Sequence, residues 1–338
     1  MKNTLLFFCI SLIIGGLLIS AGFTADKKLA QTGFQFLSVP IDARPVAMGE
    51  AFTTVAGNAT SVFHNPANMA LMTSFIDIGL NQNKWIADID YISGCIAVNP
   101  LNGQFGTFAV SVLSVNYGEF LGTMVDPNSD KGYMDTGTFE PSAYSVGLGY
   151  AKALTDRFSV GGHIKYVSQK LGSSELPGEA GVNTTIDNEV DVLAYDFGTI
   201  YRTGYKSLVF GMTVRNFSQE VKYQTEGFQL PLTFKIGLSM NVFDFFLEPD
   251  NTHTLLISVD ALHPRAYSER INLGGEYVFM DMFAVRGGYM YNYDERDITF
   301  GFGFQPKLLG SFRIALDYAY TPFGIFDNVQ IMSVRITY

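Results

Sequence analysis

Phe312-Arg313-Ile314-Ala315-Leu316-Asp317-Tyr318-Ala319-Tyr320 is followed, after a turn, by Met332-Ser333-Val334-Arg335-Ile336-Thr337-Tyr338. Every second residue is apolar, and small or polar residues fill the gaps. A period of two belongs to a strand with one apolar and one polar face. In a soluble sheet the apolar face is buried in a core. In a membrane barrel it faces lipid, and the polar face lines the lumen. Deciding between these two fixes the fold.

The same ladder recurs upstream. Leu232, Phe234, Ile236, Leu238, Met240 and Val242 alternate with Thr233, Lys235, Gly237, Ser239 and Asn241, and Ile298, Phe300, Phe302 and Phe304 alternate with Thr299, Gly301, Gly303 and Gln305. The charges Lys165, Arg215, Lys235, Asp260, Glu276, Arg286, Arg313, Asp317 and Arg335 all fall in the polar set. A lysine or arginine facing lipid at mid-depth costs about 2–4 kcal/mol, which gives the segregation a physical reason. From Ser74 onward about fourteen such segments run from 74–83 to 328–338. Most reach the ~9–11 residues that a tilted strand needs to cross a bilayer. A sandwich or propeller would need a second core to cover strands of this length.

The connections fall into two alternating sets. One is mostly tight, as at Asn99–Gly103, Ala153–Asp156 and Thr203–Lys206, with 244–252 the exception. The other is mostly long and rich in Gly, Asp, Ser and Asn, above all 118–140 and 171–189. Short turns at one end and long loops at the other is the pattern of outer-membrane barrels. Tyr144, Tyr150, Tyr166, Tyr201, Tyr289 and Tyr291 stand near strand ends, as interfacial girdles require. The reading is an all-β, transmembrane antiparallel β-barrel of about fourteen strands, spanning 73–338.

Composition agrees. The 338 residues include 34 Gly, 29 Phe and 18 Tyr but one Trp, and only 16% are charged. Soluble domains carry roughly 25%. Residues 1–25 read as a secretory signal peptide: Lys2, an apolar run from Leu5 to Ile19, then small residues at Ser20-Ala21-Gly22. Cys95 is then the single mature cysteine, which excludes a disulfide framework and a cysteine metal site. The net charge of −10 argues against nucleic acid as a partner.

No chemistry-bearing motif stands out. There is no Gly-x-Ser-x-Gly, His-Glu-x-x-His or phosphate loop, and no cofactor is implied. His163 shares the inward face with Asp196, as in a lumen hydrogen-bond network. Glu248-Pro249-Asp250-Asn251 reads as a solvated turn rather than a cation loop. Wall glycines such as Gly147, Gly149, Gly161, Gly162, Gly287 and Gly288 are expected to allow curvature.

Residues 26–72 carry no ladder and are read as an N-terminal hatch or plug segment. Ala43 to Phe52 has helical spacing, and Asn65-Pro66 marks a turn. Here a resemblance becomes specific. Gly33-Phe34-Gln35-Phe36-Leu37, then Ala43-Arg44-Pro45-Val46-Ala47-Met48-Gly49-Glu50-Ala51-Phe52, then Asn65-Pro66-Ala67 resembles the opening of the PorV/PorQ family, itself similar to FadL-like fatty-acid transporters. Val214-Arg215-Asn216-Phe217-Ser218 and Leu230-Pro231-Leu232-Thr233 support it. Glu50 departs from the family, where a second glycine is common.

The resemblance implies a fourteen-stranded outer-membrane barrel, without enzymatic activity, that acts in type IX secretion beside a translocon and cargo sorting domains. The FadL side implies instead a channel for long-chain fatty acids or other hydrophobic small molecules, with an apolar tunnel lined by Phe34, Phe36, Phe52 and Phe63. Arg44, Asn65, Pro66 and Ala67 complete the hatch and lumen candidates. The stripe Met332, Val334, Ile336, Tyr338 resembles the terminal signal read by outer-membrane assembly machinery. Expected partners are outer-membrane lipid, secretion proteins at the long loops, and a hydrophobic small molecule under the second reading.

Overall fold

The computed structural model describes residues 32–55, 57–176, 184–245, 252–306 and 312–338. The signal-peptide segment and Glu248–Asn251 lie outside the described residues. Fourteen strands form one closed barrel: β1 (Ile76–Lys84), β2 (Asp90–Val98), β3 (Thr107–Asn116), β4 (Ser142–Ala153), β5 (Phe158–Leu176), β6 (Thr184–Arg202), β7 (Val209–Ser218), β8 (Thr233–Asn241), β9 (His253–Pro264), β10 (Arg270–Phe279), β11 (Phe283–Tyr291), β12 (Ile298–Phe304), β13 (Arg313–Thr321) and β14 (Val329–Thr337). Each pairs antiparallel with its sequence neighbours. β14 returns to β1, with Ile336 opposite Ile78 and Val334 opposite Leu80. Tyr338 continues this seam through reciprocal backbone hydrogen bonds with Ile76 at 2.9 and 3.0 Å. Closure removes the sheet edges that would otherwise carry unpaired amides into lipid.

The two faces sort as the sequence predicts. Leu148, Val285 and Phe302 stand 66, 64 and 58% exposed on the outside. Lys165, Lys235, Asp260, Glu276 and Arg286 are buried inside. Arg313 departs from this set: it is exposed at the short-turn mouth, where its strand begins. The six girdle tyrosines are all exposed on the outer surface.

Two loops are more ordered than their composition suggests. Within 118–140, Phe120–Val125 pairs with Tyr133–Phe139 to make a separate two-stranded hairpin. Within 171–189, β5 and β6 run on as strands to Leu176 and from Thr184, at 19 residues each. Their pairing shifts between Lys170 and Ser173. Such a bulge bends a ribbon where it leaves the wall. Polar turn-like composition hid both extensions, because strands outside the membrane need no apolar face.

A second bulge lies where β6 meets β7. Tyr195 faces Phe217 and Phe197 faces Val214, so Arg215 and Asn216 share the place opposite Asp196. Asn216 has φ +61°, a left-handed conformation that asparagine tolerates better than most residues. The bulge turns the Asn216 amide onto the Asp196 carboxylate at 2.7 Å. This gives the Val214–Ser218 motif a structural reason.

Candidate functional site

The N-terminal segment runs from the long-loop end of the barrel to the short-turn end. Thr32 makes a parallel bridge to Gln229, between the long-loop ends of β7 and β8. A 3-10 turn, Gln35–Ser38, follows, and the Pro40 carbonyl accepts from the Asn83 amide at 2.6 Å. The helix α1 is a short one, Ala43–Ala47, because Gly49 and Glu50 both take positive φ and end it. Its first turn is capped by Asp42, whose side chain accepts from the Arg44 amide. Two further 3-10 turns, Ala59–Phe63 and Pro66–Leu71, are capped by Asn58 and Asn65. Met72 O then accepts from Asn99 beside the start of β1.

This segment is held by inward-facing side chains of the wall. Arg44 binds Glu276 with both arms, Nη2 to Oε1 at 2.6 Å and Nε to Oε2 at 2.8 Å. Arg286 donates to the same carboxylate at 2.5 Å and to Asp317 at 2.7 Å. Four alternating charges thus tie α1 to β10, β11 and β13. The Asp260 carboxylate accepts from the Phe52 and Thr53 amides, each at 2.9 Å, and from the Thr53 hydroxyl at 2.7 Å. Asn65 Nδ2 donates among the Thr53, Thr199 and Met212 carbonyls at 2.9, 3.2 and 3.4 Å, while its Oδ1 accepts from Ala67 N. Buried polar groups need such partners, since an unmet one costs about 1–3 kcal/mol.

Wall glycines sit where the segment comes closest. A Cβ on Gly198 would lie 1.8 Å from Asn65 Oδ1, and one on Gly288 would lie 2.0 Å from Gly49 N. Gly149, Gly161, Gly274 and Gly301 are approached in the same way by Val62, Ala67, Met48 and Ala47. This corrects the expectation of curvature for Gly149, Gly161 and Gly288. Gly147 instead makes room for His163, and at Gly162 and Gly287 nothing comes nearer than ordinary van der Waals distance.

The residues singled out from sequence divide accordingly. Phe34, Phe36 and Phe63 belong to one buried cluster, and Phe52 to another with Met48 and Val55. Phe52 lies under the Arg44 guanidinium at 5.5 Å and edge-on to His64 at 5.5 Å. Phe34 stacks on Phe228, which stacks on Tyr223. Pro66 and Ala67 are buried against β5 and β6. Met332, Val334 and Tyr338 lie exposed on the outer face, Ile336 is half-buried, and the Tyr338 ring packs 4.7 Å from Phe312.

Charge inside the segment is set by burial. His64 is held well below its ordinary pKa by burial and then by Arg215 and Lys235, so it is neutral at pH 7. Its Nε2 stands 4.0 Å from Asp42 Oδ2, a contact rather than an ion pair, and burial raises the Asp42 pKa. Burial also opposes ionisation of Glu50, but Arg296, Lys235, Arg215 and Arg270 outweigh it and hold its pKa low.

His163 bonds Ser111 Oγ at 2.8 Å and Asp196 at 3.1 Å, and Lys165 bonds Asp196 at 2.8 Å. Ser–His–Asp connectivity of this kind serves nucleophilic catalysis elsewhere. Here all three residues are at most 3% exposed, so the hydroxyl has no open face for a substrate. Its role is to cross-link β3, β5 and β6. Among the described residues no group of three or more His, Cys, Asp or Glu could hold a metal ion.

The open space lies toward the mouths. A cavity of about 840 Å³ at the long-loop end is lined by Phe34, Gln35, Gln169, Tyr223, Phe228 and Arg265. A second, of about 350 Å³, is walled by Trp85, Tyr267, Arg270, Tyr293, Arg296 and Phe323. Of the four phenylalanines offered for a tunnel, only Phe34 borders either. Sequence reasoning missed Trp85, Arg270 and Arg296, which stand in two connections and at the start of β10. It also missed the Glu276–Arg286 pair, although opposite charges on inward faces of adjacent strands were a usable signal.

A closed fourteen-stranded barrel with an apolar outer belt and an interior threaded by its own N-terminal segment defines a transmembrane barrel of the outer-membrane kind. The fold is similar to the toluene transporter TbuX of Ralstonia pickettii, with a TM-score of 0.58 at 12% identity over 88% of this chain and 98% of that one. It is also similar to the Pseudomonas putida toluene transporter TodX (0.57, 11%, covering 87% and 96%) and to a Pseudomonas aeruginosa FadL homologue (0.51, 12%, covering 89% and 98%). At such identities these likenesses speak for the fold alone. Residues 23–265 match the family model described as type IX secretion system protein PorV, and the chain belongs to that family. No curated protein sequence matches it. It is an outer-membrane protein of a type IX-like secretion pathway.

Proposed function

We propose that the barrel acts as a docking component for secreted cargo or for the translocon, with residues 26–72 as a plug and the long-loop end as the working surface. One observation carries this reading: the segment is fastened to the wall by ion pairs, capped turns and glycine contacts. A lumen crossed by this fastened segment leaves the loops as the surface that meets a partner. The hairpin at 120–139 offers Leu121 and Val125 to solvent, 78 and 67% exposed. The loop 118–140 carries five carboxylates against one lysine, and 171–189 carries four and no base. Exposed apolar side chains within an acidic field suit a protein partner with a basic rim. Deleting 118–140 and 171–189 together should abolish pull-down of cargo or translocon while the barrel still folds. Unchanged pull-down would sink the proposal.

The second reading, a channel for fatty acids or other hydrophobic small molecules, is favoured by the 840 Å³ cavity against Phe34 and Phe228. It requires the plug to rearrange, since Phe36, Phe52 and Phe63 are at most 7% exposed. Fatty-acid flux into proteoliposomes that stops when the plug is cross-linked to the wall would favour this reading. Absence of flux removes this reading.

A further inference from the structure

Below the 350 Å³ cavity at the long-loop mouth is a smaller space of about 60 Å³. Arg215, Lys235, Arg270 and Arg296 all border it, and Glu50 is the one carboxylate on its lining. Asp260 lies close to Lys235; its Oδ2 takes the Phe52 and Thr53 amides, and its Oδ1 has no hydrogen-bond partner among the described residues. Asp294 and Glu295 line the outer cavity together with Arg270 and Arg296. The buried Nε atoms of Arg215 and Arg270 have no hydrogen-bond partner among the described residues. Buried charges left without enough counter-charge are costly, and folded proteins seldom retain them without a use.

The cations are held in place. Arg270 stacks over Tyr267 and Tyr293 at 4.2 and 4.0 Å. Arg296 stands over Trp85, Tyr293 and Phe323 at 5.6, 5.1 and 5.8 Å. A guanidinium stacked by its face presents its N–H edge, the geometry that recognises a carboxylate. Glu50 already forms an ion pair with Arg296, Oε1 to Nη1 at 2.8 Å. It does so from φ +59°, a left-handed conformation uncommon for any residue but glycine. This chain has therefore placed a carboxylate where the backbone disfavours a side chain.

We propose that this pocket binds a carboxylate carried on a small apolar body, and that Glu50 is a built-in occupant that competes with it. The head would enter the cationic space between Arg270 and Lys235. The apolar body would lie in the outer cavity against Trp85, Phe323 and Val39. An aliphatic acid and the C-terminus of an apolar peptide present the same chemistry.

The protein carries its own reporter, because Trp85 is the single tryptophan of the sequence. The full-length protein in detergent micelles is titrated with sodium hexanoate and with hexanamide, reading Trp85 emission. A tripeptide of apolar residues is added in free-carboxylate and amidated forms. Saturation by a carboxylate, with the matching amide at least about tenfold weaker, is the expected result. The carboxylate that saturates at lower concentration identifies the source. Glu50→Gln should tighten binding about threefold to tenfold, and Arg270→Met should weaken it about tenfold. Mobility of the unheated protein on a gel confirms that each variant is folded. Equal titration by acid and amide, no saturation by either carboxylate, or an unchanged Arg270→Met would overturn the proposal. No partner is needed, so its failure would leave the secretion reading untouched.

Discussion

The two faces of the barrel wall are built from the same strands, yet they work by different rules. Outside, Leu148 or Phe302 needs only to be apolar, because lipid tails have no fixed shape. Inside, Glu276 must meet Arg44 and Arg286 at hydrogen-bond distance, and Gly198 must leave room for one amide oxygen. The outer face is specified by type and the inner face by atom. Substitutions should therefore be forgiven outside as long as they stay apolar, and punished inside even when they are small.

The largest effect should come from the ion network. Glu276→Ala leaves Arg44 and Arg286 buried around a missing carboxylate. Removing one partner of a buried ion pair costs about 3–5 kcal/mol. The urea midpoint of the folded barrel should fall accordingly, and a shift no larger than that of an outer-face Leu148→Ala would break the contrast between the faces.

Next comes a charge on the other face. Leu148→Arg should destabilise by about 2–4 kcal/mol if the residue lies near mid-membrane, whereas Leu148→Ile should change little. An arginine tolerated there in a bilayer would mean that this face is not lipid-exposed.

Gly288→Ala tests the inner face by size alone. Its methyl would fall 2.0 Å from the Gly49 amide, and overpacking of this kind typically costs about 1–3 kcal/mol. The expected readout is faster proteolysis within 32–72 with the wall still intact. Gly287→Ala, where the nearest atom would be 4.0 Å away, serves as the matched control.

The smallest effect sharpens the comparison through pH. His64 has a folded pKa below its unfolded value of 6.5, so its contribution is present above pH 6.5 and is lost as pH falls beneath it. Glu50 also has a lowered pKa, and its contribution is lost only below about pH 4.5. Asp42 has a raised pKa and works in the opposite sense: it favours the folded state in acid, an effect that fades as pH rises. Protease susceptibility of 32–72 should rise between pH 7.5 and 5.5. His64→Gln should flatten that rise. A flat wild-type profile would remove His64 from the account.

The wall was legible because one physical requirement repeats along it. Every membrane crossing needs an apolar residue at alternate positions, so the signal at Met332–Tyr338 recurs in each strand and local errors average out. The first and last segments, expected at 74–83 and 328–338, form strands at Ile76–Lys84 and Val329–Thr337. Less legible were β5 and β6, which leave the membrane and with it the constraint that made them readable. The segment 32–72 could be told apart from the wall because it lacked the ladder, but its partners could not be named. Nothing near Phe52 announces Asp260, about two hundred residues away.

The sequence alone thus determined the closed wall, its strand number and the face toward lipid, since these follow from a local period of two. Tertiary structure decided why Gly161, Gly198 and Gly288 are glycine, that Glu276 holds Arg44, and that Glu50 meets four cations at the mouth. Those facts depend on which strands the N-terminal segment passes. A contact between positions hundreds of residues apart has no period to betray it.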